Sequence, residues 1–582
     1  MPEPLRPIAL PRQSEAKDRL ESWKEIAAYL GREVRTVQGW EKNEGLPVHR
    51  HQHARQGSVY AFRVELDAWR QARKSEEAPP PPVRAVTGRE RSKGLFWAGI
   101  CTAAVLVLAA VFFTWKWVRE RADNTLASVV VLPFLDLSPQ KDQEYFSDGL
   151  TEEIIDALTR VPNLRVVSRT SAFAFKGKPA DIREIGRQLN VSAVLEGSVR
   201  KAGDQLRITA QLNRVSDGTH LWSRTFDRQL HDIFAVQQEI SQSIAGRLRA
   251  GPVAERPPTE NLEAYRLFQE GRYLFNQHLP PDSYRKAIER YQQAIQLDPR
   301  FALAYAAMAD AYAYLAENFV AAPREEMPKA KQAAEKAVSL DDNLSEAHTS
   351  MGIVKMDYDW DRDGARKEFL KAMQLNPGSG YVHHWYAHSL EAQGRLEEAM
   401  KEMRAALDLD PLSLVIRWDI ALELISTKRY GEAVANLKKS LELFPNQPIL
   451  LTLEAVAYYD KGDLAMGHGT IEAMKAAAAA DGMSGDPYII IFVAWAAAKE
   501  GRRAEAEQGL AELERMHRTQ YIEPFLVTWL CSALGDKQNL ELWVKRGIAE
   551  RSTQFLYVPL WKDMYNTPEV QDLLSQAAAP AR

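Results

Sequence analysis

Two cysteines in 582 residues leave little room for thiol chemistry. Cys101 falls inside an apolar run and Cys531 lies far downstream, which excludes a cysteine metal site and makes a disulfide between them implausible. Catalytic signatures are missing too: there is no GxxxxGKS or GxxxxGKT phosphate loop, no HExxH and no complete GxSxG. Gly482-Met483-Ser484-Gly485 has the wrong spacing for the last of these. The residues therefore point to a non-enzyme, with no catalytic residue and no cofactor. The net charge of -4 excludes a strongly basic chain, but it hides an asymmetry. Residues 1–93 hold 18 Lys and Arg against 13 Asp and Glu; the totals of 74 and 78 leave 56 against 65 for the rest. A basic head and an acidic body imply different partners.

Charge is absent altogether from Leu95 to Thr114, LFWAGICTAAVLVLAAVFFT. Twenty helical residues rise about 30 Å, the thickness of a bilayer's hydrocarbon core. Trp97, Trp115 and Trp117 stand near its ends, where interfacial rings are favoured. The run starts too far into the chain for a signal peptide and lacks a small-residue cleavage site. The expectation is one transmembrane helix over 95–117, in a cytoplasmic (inner) membrane, with the membrane itself as a partner. The basic head would be cytoplasmic and the remainder extracytoplasmic.

Residues 1–19 are Pro-rich and polar and read as a disordered lead-in. In the stretch 20–74, Ser22 with Glu25 three residues on forms a capping-box signal. Trp23, Ile26, Ala27 and Leu30 then follow helical spacing, Gly31 breaks the helix, and Val34, Val37 and Trp40 stripe a second one. Gly45-Leu46-Pro47 ends that helix. Val48–His53 and Ser58–Phe62 alternate as a two-stranded wing, and Val64, Leu66 and Trp69 are expected to close a small core. This head resembles the MerR-type or excisionase-type winged helix-turn-helix family. The resemblance implies a second helix in the major groove of double-stranded DNA and a wing on the backbone. On the exposed side of that helix stand Arg35, Thr36, Gln38 and Lys42; Arg50 and Arg55 bring charge to the wing. His49, His51 and His53 alternate on the wing as surface residues rather than metal ligands. Residues 75–93, with Pro79 to Pro82, read as a stiff linker.

From 125 to 250, strand and helix patterns alternate before giving way to a meander. SVVVLPF at 128–134 and Leu164–Val167 read as buried strands; Ala193–Arg200, Gln205–Arg214 and His220–Asp227 alternate as three more. The expectation is a small α/β sandwich with a mixed sheet. Asp148, Glu152 and Glu153 read as acidic residues at a helix start, favoured by the helix dipole. The LPF, FSDGLTEE and LEGSVR segments resemble the TolB-like N-terminal (FlgO-like) domain of bacterial regulators, which carries no catalytic motif.

A period near 34 dominates residues 258–582. Units at 262–299, 300–342, 343–377, 378–411 and 412–445 end in Leu-Asp-Pro or a variant, at intervals of 43, 35, 34 and 34 residues. Alanine stands twelve positions before each end, at 287, 330, 365, 399 and 433, where two helices must cross closely. Degenerate helix pairs continue beyond Pro445. The pattern resembles the tetratricopeptide repeat, which implies an all-α right-handed superhelix whose concave groove takes a protein or peptide. Tyr381, His384, Trp385 and His388 are candidates to line that groove. Asp359-Trp360-Asp361-Arg362-Asp363-Gly364 begins like a calcium loop, but Leu370 occupies the twelfth position in place of glutamate, so no metal site is expected.

The fold class expected is multidomain: winged helix-turn-helix, transmembrane helix, α/β sandwich and repeat superhelix. The layout resembles ToxR-type regulators in topology. It implies a membrane-anchored one-component transcription regulator, in which an extracytoplasmic partner would change homo-oligomerisation and the concentration of heads at paired half-sites. The alternative is a membrane-tethered repeat scaffold for an envelope protein complex.

Overall fold

Hydrophobic stripes set by the head's short helices close a core of their own. The computed structural model describes residues 18–50, 59–75, 127–253, 258–277, 282–555 and 567–577. The chain divides into two units, 1–118 and 119–582. In the first, β1 (Arg19–Leu20) leads into α1 (Trp23–Leu30) and α2 (Val34–Glu44). β2 (His49–Arg50) and β3 (Val59–Phe62) follow, then α3 (Arg63–Ser75). Ser22 caps α1 by accepting the Glu25 N–H at 3.3 Å, and the Glu25 carboxylate reaches back to the N–H of Glu21 at 2.9 Å, one residue before the position a capping box uses. Gly31 (φ 64°) and Gly45 (φ 65°) end the two helices in the left-handed conformation that glycine tolerates. The three strands pair antiparallel in the order β1-β3-β2, so Arg19 belongs to the sheet rather than to a disordered lead-in. Ile26, Leu30, Val37, Leu46, Val59, Ala61 and Leu66 form the core. Val64, expected inside, is 66% exposed; α3 begins at Arg63 and turns Leu66 inward instead.

In the second unit β4 (Ala127–Val131), β5 (Leu135–Asp136), α4 (Glu144–Thr159), β6 (Leu164–Val166), α5 (Arg169–Phe173) and α6 (Ile182–Gln188) come first. They precede the meander β7 (Ala193–Ala202), β8 (Gln205–Arg214), β9 (His220–Gln229) and the helix α7 (Ile233–Arg247). The sheet order is β6-β4-β7-β8-β9, with β5 also on β7. Pairing is parallel around β4 and antiparallel through the meander, a mixed sheet.

Sixteen helices then pack as eight consecutive pairs between Leu262 and Glu550, among the described residues. They run from Leu262–Phe275 with Asp282–Leu297 to Pro524–Leu534 with Lys537–Glu550. Ala287, Ala330, Ala365, Ala399 and Ala433 are all fully buried, as a close helix crossing requires. The 43-residue second unit owes its length to long helices, Ala302–Glu317 and Pro323–Leu340. No gap separates the sheet from the repeats: one apolar core runs from Val129 and Leu195 through Val236 and Ile240 to Phe268, Tyr291 and Phe301.

The transmembrane expectation is corrected. Among the described residues no helix is long and apolar enough to cross a membrane. Leu95–Thr114 lies outside the described residues. The most apolar helix described, Pro487–Lys499, has 13 residues, about 20 Å of rise against the roughly 30 Å needed. Its Ile491, Phe492, Trp495 and Ala496 are buried among neighbouring helices, so packing accounts for its apolarity. The fold class is thus a helix-and-strand head, a mixed sheet and a helical repeat array, and the single-pass inner-membrane placement with its two-sided topology is withdrawn.

Candidate functional site

Three places gather functional side chains. The first is the face of α2 in the head. Val37 faces inward and is fully buried, which turns Arg35, Thr36, Gln38 and Lys42 outward, where all four are exposed. Arg50 on β2 is also exposed, but its guanidinium is held by Glu41 at 2.7 Å. Trp23, Gln38, Glu41, Lys42 and Arg50 line an open hollow on this face. Arg55, His51 and His53 lie outside the described residues. His49 is bound to Glu65 at 2.7 Å and stacks on Tyr60.

The second place is the seam between the α/β layer and the repeats. Glu152 is almost fully buried in the third turn of α4, not at a helix start, because the helix already begins at Glu144. Its partners are Arg169 at 2.5 Å and Arg272 at 2.7 Å, the latter from the first repeat helix. Arg272 also reaches Glu153 at 2.9 Å and Asp156 at 3.1 Å. One guanidinium cannot neutralise three carboxylates. Burial pushes Glu153 up to about 7 against the pull of Arg272, with Asp156 adding to the rise. Burial also opposes ionisation of Glu152, but Arg272 and Arg169 win and hold its carboxyl below the usual range. Asp148 pairs with Lys176 at 2.6 Å, yet burial lifts it to about 6. Asp148 and Glu152 thus meet Lys176 and Arg169 within the layer, Glu152 and Glu153 meet Arg272 across the seam, and the dipole reading is replaced.

The same seam uses the inter-unit turns. Arg160 bonds Glu346 at 2.7 Å, and Arg165 bonds the Asp408 side chain at 3.2 Å. The Ser168 N–H donates to the Leu409 carbonyl at 2.8 Å, and the Ser171 N–H donates to Asp410 at 3.0 Å. Gly378 stands where a Cβ would come within 2.5 Å of the Thr159 carbonyl oxygen. The Leu409-Asp410-Pro411 repeat signature therefore also grips a second domain. Sequence reading missed Arg272 and this role of the turns. The available signal was Glu152 and Asp156 at i and i+4, like charges on one helix face that need cations from elsewhere.

The third place holds the four groove candidates, all on the helix Gly380–Ala392. Trp385 is buried in the inter-helix core, and Tyr381 packs half-buried against it. His384 and His388, at i and i+4, are 12% and 15% exposed and meet Asp419 of the helix Leu414–Ser426. His384 Nε2 lies 2.7 Å from Asp419 Oδ2, and His388 Nε2 lies 3.1 Å from His384 Nε2. His388 Nε2 is 3.6 Å from Asp419 Oδ2. Glu391 accepts from His388 Nδ1 at 2.7 Å. Burial opposes protonation of His388, but Glu391 and Asp419 raise its imidazolium well above the ordinary value. Burial likewise opposes Asp419, which His388 and His384 hold well below the usual carboxylate range. Glu423, one turn beyond Asp419, is pushed up to about 8 by burial and by Glu391. Asp419 was not anticipated; an aspartate flanked by Trp418 and Ile420 in the largely apolar stretch Leu414–Ile425 was the overlooked signal. At the imitation calcium loop, Asp361 caps the helix Arg362–Leu375 by accepting the Gly364 N–H at 2.9 Å, and Asp359 pairs with Lys331.

Comparison with known proteins places repeats in this array. A family model described as TPR repeat matches residues 283–315, and one described as tetratricopeptide repeat matches 381–411 and 416–447. The chain is 36% identical over 233 residues to a Rhizobium meliloti (strain 1021) protein named "Putative adenylate cyclase 3", covering 39% of this chain and 40% of that protein. It is 25% identical over 293 residues to the transcriptional regulator HilA of Salmonella typhimurium, covering 49% and 51%. The chain thus spans about half the length, or less, of the curated relatives it matches. Among solved structures, PilW, a type IV pilus biogenesis factor, is 18% identical with a TM-score of 0.32, covering 37% of this chain and 94% of that one. Pseudomonas aeruginosa PilF is 22% identical with a TM-score of 0.28, covering 36% and 93%.

Proposed function

We propose that this chain is a protein-interaction scaffold built on its tetratricopeptide repeats. The observation that carries the reading is the use already made of the repeat turns. Leu409 and Asp410 bind backbone and side chain of the α/β layer, so the array is chemically equipped to hold protein surfaces. The eight consecutive helix pairs among the described residues supply an extended helical surface for such contacts. The cyclase name belongs to a relative of which 40% is matched. Photo-crosslinkers placed one at a time on exposed positions between Leu414 and Glu550, in cells, test the reading. A single protein partner crosslinked from several neighbouring positions is expected. Adducts absent from every position, or scattered among unrelated proteins, overturn it.

A second reading, favoured by one observation in the head, is a DNA-binding regulator in which the scaffold receives the signal. Arg35, Thr36, Gln38 and Lys42 form an exposed polar face on the second of two helices joined by a glycine turn. Such a face can offer donors to phosphates and base edges. The partial likeness to HilA adds support. Under this reading, partner binding on the repeats alters association of chains and so the effective concentration of heads at paired DNA half-sites. Chromatin immunoprecipitation of the full chain tests it: discrete peaks lost in Arg35→Ala/Lys42→Ala are expected, and an unchanged or featureless profile rejects it.

A further inference from the structure

His384 Nε2, His388 Nε2 and Asp419 Oδ2 all lie within 4.8 Å of one another. The triangle they form has edges of 2.7, 3.1 and 3.6 Å. Nitrogen and oxygen ligands about 2.0–2.1 Å from a tetrahedral zinc ion stand about 3.3 Å apart, so an ion enters by shifts below about 1 Å. The rings come from i and i+4 of one helix, so one turn sets their spacing. The carboxylate comes from the first helix of the next repeat unit.

A further observation points to a ligand. Glu391 holds His388 Nδ1 at 2.7 Å, which fixes the ring and aims Nε2 at the other two donors. A carboxylate behind the distal nitrogen is the usual support of a metal-bound histidine. Surface chance does not explain the cluster, since Asp419 is only 6% exposed.

We propose that His384, His388 and Asp419 form a binding site for a divalent first-row transition metal ion of the zinc class, with Glu391 as the outer carboxylate. Two imidazoles and a carboxylate suit zinc rather than calcium or magnesium, which prefer all-oxygen shells. The ion ties the helix Gly380–Ala392 to the helix Leu414–Ser426 and so fixes the angle between two successive repeat units. Metal occupancy then sets the curvature of the array where partner proteins would be held.

The test uses the full chain without an added histidine tag, stripped with chelator and titrated with zinc chloride against a chromogenic competitor. One tight equivalent is expected. His384→Ala/His388→Ala lowers its affinity at least 100-fold. Two control variants retain it: His383→Ala, whose ring is already engaged by Glu402, and His49→Ala/His51→Ala/His53→Ala in the head. Zinc is also expected to raise the melting temperature of the wild-type chain and not that of the double variant. X-ray absorption on the zinc-loaded wild type gives a readout that needs no variant, with two imidazoles expected in the shell. Failure of the wild type to take up an equivalent, a shell without two imidazoles, or full affinity in the double variant overturns the proposal.

Discussion

Asp410 accepts two hydrogen bonds from one residue of another domain, the backbone N–H and the hydroxyl of Ser171, 239 positions away in sequence. The Ser171 hydroxyl oxygen in turn accepts the Leu412 N–H at 2.8 Å. Asp410 and Ser171 are both buried in the seam, where water does not readily replace a lost partner. Asp410→Ala should therefore cost about 2–4 kcal/mol, from two buried donors left unsatisfied. Asp410→Asn should cost less, because one acceptor oxygen remains. Hydrogen exchange read by mass spectrometry checks this: protection should fall first in Arg169–Phe173 and only later in Tyr430–Leu443. Equal loss in both segments would show that the seam does not act locally.

Arg272 carries a larger load. Replacing it with methionine preserves apolar length but leaves Glu152 buried without its second cation. Breaking one side of a buried pair typically costs about 3–5 kcal/mol. Arg272→Met/Glu152→Gln should recover only part of that loss, because Asp156 still lacks its cation and Arg169 loses its carboxylate partner. Urea unfolding of the three chains checks this; Arg272→Met alone costing less than about 1 kcal/mol would contradict a charge role for Arg272 at the seam.

Repeats were legible because their physics is periodic. A small residue is needed at every close crossing, and Ala287, Ala330, Ala365, Ala399 and Ala433 are buried at the spacing read from the sequence. Strands such as Gln205–Arg214 were legible from alternation. The seam was not, because Arg272 and Glu152 are 120 residues apart and nothing local to either names the other. The same holds for His388 and Asp419. An i, i+4 histidine pair shows in sequence, but the third member comes from another helix, chosen by stacking geometry. Leu95–Thr114 shows a different limit. A charge-free run records what a segment can do, while the described helices show apolar runs that serve packing instead.

The seam should also respond to pH. Glu153 is raised to about 7 and Asp148 to about 6, so the folded chain holds protons that the unfolded chain releases. Their contribution is fully present below the ordinary carboxylate range and is lost as pH rises through about 6 to 7. Glu152 works in reverse: its lowered value contributes above the ordinary range and is lost on acidification. Stability should peak on the mildly acidic side of neutrality. Glu153→Gln should flatten the alkaline fall and be more stable than wild type at pH 8 by on the order of 2 kcal/mol. Melting curves from pH 4 to 9 check both limbs; an unchanged alkaline slope in Glu153→Gln would contradict the assignment.

Small residues at the crossings set a steric limit. Ala399→Leu inserts a larger side chain at a fully buried crossing, and overpacking of this kind costs typically about 1–3 kcal/mol or more. Gly352→Ala is the sharper case. Its Cβ would lie 2.6 Å from the Phe369 ring, itself fully buried, so ring and backbone must both yield. Both variants should lower the melting temperature by several degrees while leaving helical content of the folded chain unchanged by circular dichroism.

Under the DNA-binding reading, the head's cations should separate by their surroundings. Lys42 and Arg35 are exposed, whereas the Arg50 guanidinium is already engaged by Glu41. A phosphate contact releases counterions, so each cation that truly meets DNA contributes about 0.9 to the slope of log K against log salt. Lys42→Ala or Arg35→Ala in the full chain should each flatten that slope by about one and weaken binding. Arg50→Ala should change it less, because recruiting Arg50 to a phosphate first requires breaking its pair with Glu41. Glu41→Ala then becomes informative: freeing Arg50 and removing a negative charge should both strengthen binding and steepen the slope. Fluorescence anisotropy across a salt series measures all four. If Glu41→Ala weakens binding, Glu41 positions Arg50 for contact rather than restraining it, and the hollow lined by Trp23, Gln38, Lys42 and Arg50 is a preformed reading surface.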